Sequence, residues 1–230
     1  MKKIYISIFV LSGLFFSGCS DDFLDVDPTQ AIPNDPALVN SDEGASGYVT
    51  AIYNQFLGWD MSSFAWNAVS SIISDDADKG SDPGDAGTDK DVMDALTYNA
   101  STPSFQSTWD ANYAGINRCN QALAIFPKLD KVTPSLKVRL EGEAKFLRAF
   151  MYFTLVKGFG AVPIVDHLAG VPITEEDRKM QLTRKSPAEV YAFIEQDLND
   201  TFNKFDEMST DHQQPQFDFS QASNSTTTKQ

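Results

Sequence analysis

The sequence predicts an all-α protein, built from paired helices with long loops between them. Three observations predict it. Leu136, Leu140, Ala144, Leu147, Met151 and Leu155 recur at steps of three and four, which places them on one helical face. Trp109, Tyr113, Ile116, Asn120 and Leu123 do the same further upstream. Ser186, Pro187 and Glu189 form a capping box in sequence, ahead of an apolar face of Val190, Phe193, Ile194, Leu198, Thr201 and Phe202.

The chain opens with basic Lys2 and Lys3, then a 13-residue apolar run, Ile4 to Phe16. That run is too short for a bilayer span of about 20 helical residues. With Ser17 and Gly18 ahead of Cys19, it reads as an export signal over residues 1–18. It resembles a lipoprotein signal, in which Cys19 becomes the lipid-modified N-terminus. Cys119, the only other cysteine, lies in a helical pattern and reads as a small buried hydrophobe. Residues 19–40 are rich in Asp and Pro and read as a tether and extended arm.

A helical domain is expected over 41–207. Ser41 caps a helix to about Leu57, with Ala45, Val49, Ile52, Tyr53 and Phe56 on one face and Gly58 at its end. A second helix is expected from Met61 to Ser74. Asp75 to Asp91 carries seven Asp, two Lys and three Gly with no periodicity, and reads as a long loop. Asp76, Asp78 and Gly80 hint at a calcium loop. Counting twelve positions from Asp76 or Asp75 gives Gly87 or Ala86, where a bidentate acid is required, so that motif fails. Helices over about 104–127 and 135–159 form an antiparallel pair, and Phe146, Phe150 and Phe153 suggest that the second is buried on more than one side. Trp109 reads as core. Ala161 to Val165 reads as a short extended exit, because Pro163 disfavours helix at Val162. The last helix runs from Ser186 to Phe205. Residues 208–230 are polar without a helical face and read as a disordered tail that leaves this helix without a mate.

The run Glu143 to Val165, E-A-K-F-L-R-A-F-M-Y-F-T-L-V-K-G-F-G-A-V-P-I-V, resembles the signature of the SusD/RagB family of outer-membrane lipoproteins. W-x-x-x-Y-x-x-I-x-R-x-N from Trp109, and Phe23 to Thr29, resemble it too. The resemblance covers that family's N-terminal part. It implies a tetratricopeptide-like helical fold, although the sequence supports helical pairs more than that named repeat. It also implies nutrient binding, mostly of glycans, at the cell surface, and a lid-like partnership with a SusC-like TonB-dependent transporter. The loop Ser74 to Gly80 is expected near the ligand, with Asp76, Asp78 and Lys79 as hydrogen-bonding groups and Trp66, beside Trp59, as a stacking ring. An incomplete scaffold is expected to bind ligand weakly.

A net charge of −14 repels nucleic acid and anionic lipid, so membrane attachment is expected only through the lipid. The two histidines, His167 and His212, give no zinc spacing, and neither a nucleophile elbow nor a phosphate loop occurs. No cofactor is expected and no enzyme activity. Two alternatives stay open: a glycan hydrolase using the Asp75–Asp91 acids, and an interaction-only or vestigial product without ligand.

Overall fold

The computed structural model describes residues 39–82, 88–170 and 172–211, the last five by backbone alone. Cys19, the export signal, nearly all of the arm and residues 212–230 lie outside the described residues.

Four long helices form the body. Helix α1, Asp42–Gln55, starts at Ser41, whose hydroxyl accepts from the Gly44 amide at 3.1 Å. A Cβ at Gly44 would lie 2.6 Å from the Val39 carbonyl oxygen, so glycine permits this tight entry. Ala45, Tyr48, Val49 and Ile52 face inward, whereas Tyr53, expected on that face, is exposed. The expected single helix over 61–74 is instead three short pieces: α2, Trp59–Ser62, α3, Phe64–Asn67, and a π-helical turn, Ala68–Ile72. Serine side chains explain the breaks. Ser62 donates to the Phe56 carbonyl and Ser63 to the Trp59 carbonyl, competing with the backbone ladder. The expected loop also ends early, because Thr88–Asp94 forms helix α4, whose Met93 is buried against Ala68 and Val69. One buried methionine leaves little periodic signal in a run of acids.

Helix α5, Pro103–Ile125, and helix α6, Pro134–Phe159, pack antiparallel. Trp109 meets Phe159, Tyr113 meets Tyr152, and Arg148 reaches Asn120. Both helices begin on proline, and α6 ends at Gly160 with φ +67°. The α6 stripe is buried from Leu140 through Leu155. Phe146, Phe150 and Phe153 are not; they are 49%, 46% and 40% exposed. Their ridge faces away from α5, where Phe150 meets Phe56 of α1 edge-on and Phe153 meets Tyr191. After α6, Val162–Pro163 (β1) pairs antiparallel with Arg184–Lys185 (β2). Between them lies an unexpected helix, α7, Glu175–Leu182, started by a Thr174–Asp177 capping box.

Helix α8, Pro187–Asp211, runs past the boundary expected at 207. Its capping box forms as the sequence predicts: Ser186 donates to Glu189 at 2.7 Å, and the Glu189 amide donates back at 3.3 Å. It lies antiparallel on α6 through Lys204–Glu141, Lys145–Asp200 and Arg148–Asp197. Leu198 and Phe202 are left exposed, while the partly exposed Phe205 ring lies against Gly142 of α6. Among the described residues, no helix is long and apolar enough to cross a membrane.

At the centre, Arg148 is buried, with at least one hydrogen bond from each of its three nitrogens. Its Nε and Nη2 donate to both Asp197 oxygens at 2.8 Å, and Nη1 donates to Asn120 Oδ1 at 2.7 Å and the Asp166 carbonyl at 2.9 Å. Burial disfavours its charge, but the Asp197 hydrogen bonds and charge outweigh this and hold the guanidinium above its ordinary value. Asp197→Ala is expected to strand this buried cation and cost about 3–5 kcal/mol in urea unfolding. An Arg148→Met, Asp197→Leu double variant is expected to lose less than Asp197→Ala alone.

Burial pushes the Cys119 thiol up to about 12. Iodoacetamide at mildly alkaline pH is expected to spare the Cys119 peptide in the native chain and label it in urea, as mass spectrometry would read. Hydrogen bonds from Thr133, Thr174 and Ser186 hold the carboxyls of Asp42, Asp177 and Glu189 below their ordinary values. Their contribution is fully present above the unfolded-state range and is lost below it, as pH falls through their lowered folded-state values. Thermal scans are therefore expected to show Tm falling below about pH 4.

Candidate functional site

The sequence singles out the acidic loop, and the structure describes its two ends. Asp76 and Asp78 are exposed, and Asp76 is placed by its amide donating to Ser74 Oγ at 3.2 Å. Gly80 turns the chain at φ +72°. Lys79 is half-buried and reaches Asp91 at 2.6 Å, so the loop closes on the start of α4. Among the described residues, no three His, Cys, Asp or Glu side chains converge to hold a metal ion.

The residues that fix this loop were not legible in the sequence. Lys90 is buried and donates to Asp89 at 2.9 Å and to Ser104 Oγ at 2.8 Å, with its ammonium 3.5 Å from the Phe64 ring centroid. Ser104 donates in turn to Asp89 at 2.5 Å. Burial pushes the Asp89 carboxyl up, but the Ser104 and Lys90 bonds outweigh it and hold it below its ordinary value. One cation thereby ties α3, α4 and α5 together. An isolated Lys in an Asp-rich run looks solvated; only the partners brought from Phe64 and Ser104 make it structural.

The three tryptophans differ sharply. Trp59 is 70% exposed and leans on Phe64 at 5.6 Å between centroids. Trp66 is half-buried against the Ala68, Val69 and Met93 cluster, with Lys157 at 5.6 Å from its ring. Trp66 is therefore packed where the sequence suggested an open platform, and Trp59 is the open ring. Trp109 is also half-buried, set against Tyr113 and Phe159 with the Arg184 guanidinium 5.1 Å from its ring.

Two grooves are lined by residues outside the acidic loop. One, about 390 Å³, is lined by Phe105, Gln106, Trp109, Gly158, Phe159 and Arg184 among others. The other, about 380 Å³, lies where α7 meets Ile164, Asp166 and His167. There His167 bonds Asp166 at 2.5 Å and reaches Asp177 at 3.6 Å.

Comparison with known proteins fits this architecture. A SusD-like family, described as starch-binding and associating with the outer membrane, matches residues 22–226. A SusD-like protein of Formosa agariphila is 24% identical over 211 residues, which is 92% of this chain and 39% of that protein. A laminarin-binding SusD-like protein of known structure is 26% identical, with a TM-score of 0.59 over 70% of this chain and 34% of its own. Surface glycan-binding protein A from Bacteroides uniformis, 22% identical, superposes with the same score and the same two shares. The chain thus spans about two fifths or less of the length of these relatives. The fold is the helical, tetratricopeptide-like one that they share. With most of its sequence matched by that family, the chain belongs to the SusD-like proteins.

Proposed function

We propose that the protein is a cell-surface nutrient-binding lipoprotein, held in the outer membrane by lipid on Cys19. It takes up glycan in concert with a SusC-like TonB-dependent transporter. The observation that carries this reading is the family match, which begins at residue 22, three residues after Cys19. A glycan ligand is supported by the laminarin-binding relative. In this reading the exposed carboxylates of Asp76 and Asp78 and the Lys79 ammonium accept and donate to sugar hydroxyls, with Trp66 behind them; none of the four catalyses anything.

A second reading, an interaction-only scaffold without ligand of its own, is favoured by the exposed ridge of Phe146, Phe150 and Phe153 and by Phe202 on α8. These faces suit protein contact better than sugar hydroxyls.

Both parts of the proposal are testable in the native cell envelope. Radiolabelled palmitate is expected on the wild-type chain and not on Cys19→Ala, which should leave the outer-membrane fraction. Detergent extracts are expected to yield a TonB-dependent barrel with the chain. Calorimetry is expected to show only weak binding of laminarin or starch by this chain alone. A wild-type chain recovered soluble and unlipidated would overturn the anchoring. Lipidation and barrel capture with no glycan binding at any concentration would favour the second reading.

A further inference from the structure

We infer that the groove between α5 and the end of α6 is a subsite for an acidic sugar, a pyranose carrying a carboxylate. This rests on the glycan-binding reading but concerns residues other than those of the acidic loop. Three aromatic rings, Phe105, Trp109 and Phe159, wall the groove, and its volume of about 390 Å³ lies within the ligand-pocket range. Rings of this kind stack against the apolar C–H face of a pyranose. Gly158, without a side chain, keeps the α6 wall open.

The charge at the groove decides which sugar. Arg184 lines it, positioned by β2 pairing with β1, by the Trp109 ring and by an Nη1 bond to the Ala161 carbonyl at 2.8 Å. That bond uses one corner of the guanidinium fork. Among the described residues no carboxylate pairs with Arg184, although the chain holds 32 acidic residues against 18 basic ones. Arg148, by contrast, is matched by both oxygens of Asp197. The nearby Asp110 carboxylate accepts from the Gln106 amide at 2.6 Å, which leaves the Gln106 carbonyl to take a sugar hydroxyl. A planar donor fork beside aromatic walls suits a carboxylate held in two hydrogen bonds with its ring stacked. A neutral sugar would leave Arg184 unmatched.

The test uses a glucuronic-acid disaccharide and its carboxyl-reduced counterpart, titrated into the full chain and followed by saturation-transfer NMR. The acid is expected to bind about tenfold tighter, with the preference shrinking as salt rises. Arg184→Gln is expected to abolish the preference, with an unchanged far-UV spectrum to certify folding. Gly158→Leu is expected to block both sugars. A Cβ there meets only Val69 Cγ1 at 3.7 Å, so the substitution starts from ordinary contact. Equal affinity for the two disaccharides, or a preference that survives Arg184→Gln, overturns the inference. Tighter binding of a peptide ending in a free carboxylate would also overturn it, assigning the groove to protein. Laminarin or starch binding without glucuronate binding would sink this inference and leave the broader reading standing; no glycan binding at all would sink both.

Discussion

The buried Arg148–Asp197 pair is the interaction on which the rest of the bundle depends. It joins α6 to α8, and through Asn120 it joins both to α5. The same groups then stitch down the chain that leaves α6. Arg148 binds the Asp166 carbonyl, Asn120 the Val165 carbonyl, and Tyr113 the Pro163 carbonyl at 2.7 Å. Tyr152 Oη receives the Val165 amide at 2.7 Å. An extended segment packed on a helical core has no ladder of its own to satisfy its backbone. Here helix side chains replace that ladder, so beyond the two-residue β1 the strap from Ile164 to His167 is fixed by the core rather than by a sheet. Burial raises the Tyr113 and Tyr152 hydroxyls well above the ordinary phenol range, so both remain protonated donors.

This network also explains which parts of the fold were legible in the sequence. The α6 stripe was visible because long helices repeat their buried positions, and every member from Leu140 to Leu155 is buried. The Ser186 cap was visible because its chemistry is local. Arg148 read as one charge among several, since its partners lie 28 and 49 residues away. Phe146, Phe150 and Phe153 point correctly to a helix that α1, α5 and α8 cover on more than one side, but not to burial of the rings themselves, which stay half exposed. Hydrophobic spacing says that a face wants cover, but not that the cover lies within the same bundle. The short helices α4 and α7 gave little periodic signal, and α7 rests on its Thr174–Asp177 cap more than on an apolar face.

The candidate sites follow the same division. The acidic loop was legible because composition alone marks a long polar segment. What holds its far end was not, because the Lys90 site is assembled from Phe64, Asp89 and Ser104 on three helices. The π-helical turn at Ala68–Ile72 stands just ahead of the loop, where the serines and the buried Val69 set the direction in which the chain leaves. Loop ends are thus anchored to a rigid scaffold while the carboxylates of Asp76 and Asp78 stay in solvent.

Three cations in this acidic chain show how burial sorts charge into structure or recognition. Arg148 is buried and finds an acceptor for each of its three nitrogens, so its charge is consumed in holding helices together. Lys90 is equally buried, but its compensation is divided between one carboxylate, one hydroxyl and an aromatic face, which suits a joint between short helices. Arg184 is exposed, and a carbonyl and an indole orient it without neutralising it. A buried charge in that condition would be costly; at the rim of a groove water bears the cost until an anion displaces it. The side chain is held in place before any partner arrives, so its immobilisation is not charged to binding. The same chemistry that makes a guanidinium a core fastener between α6 and α8 makes it a recognition group between β2 and α5, and the difference is only whether the fold supplies the carboxylate.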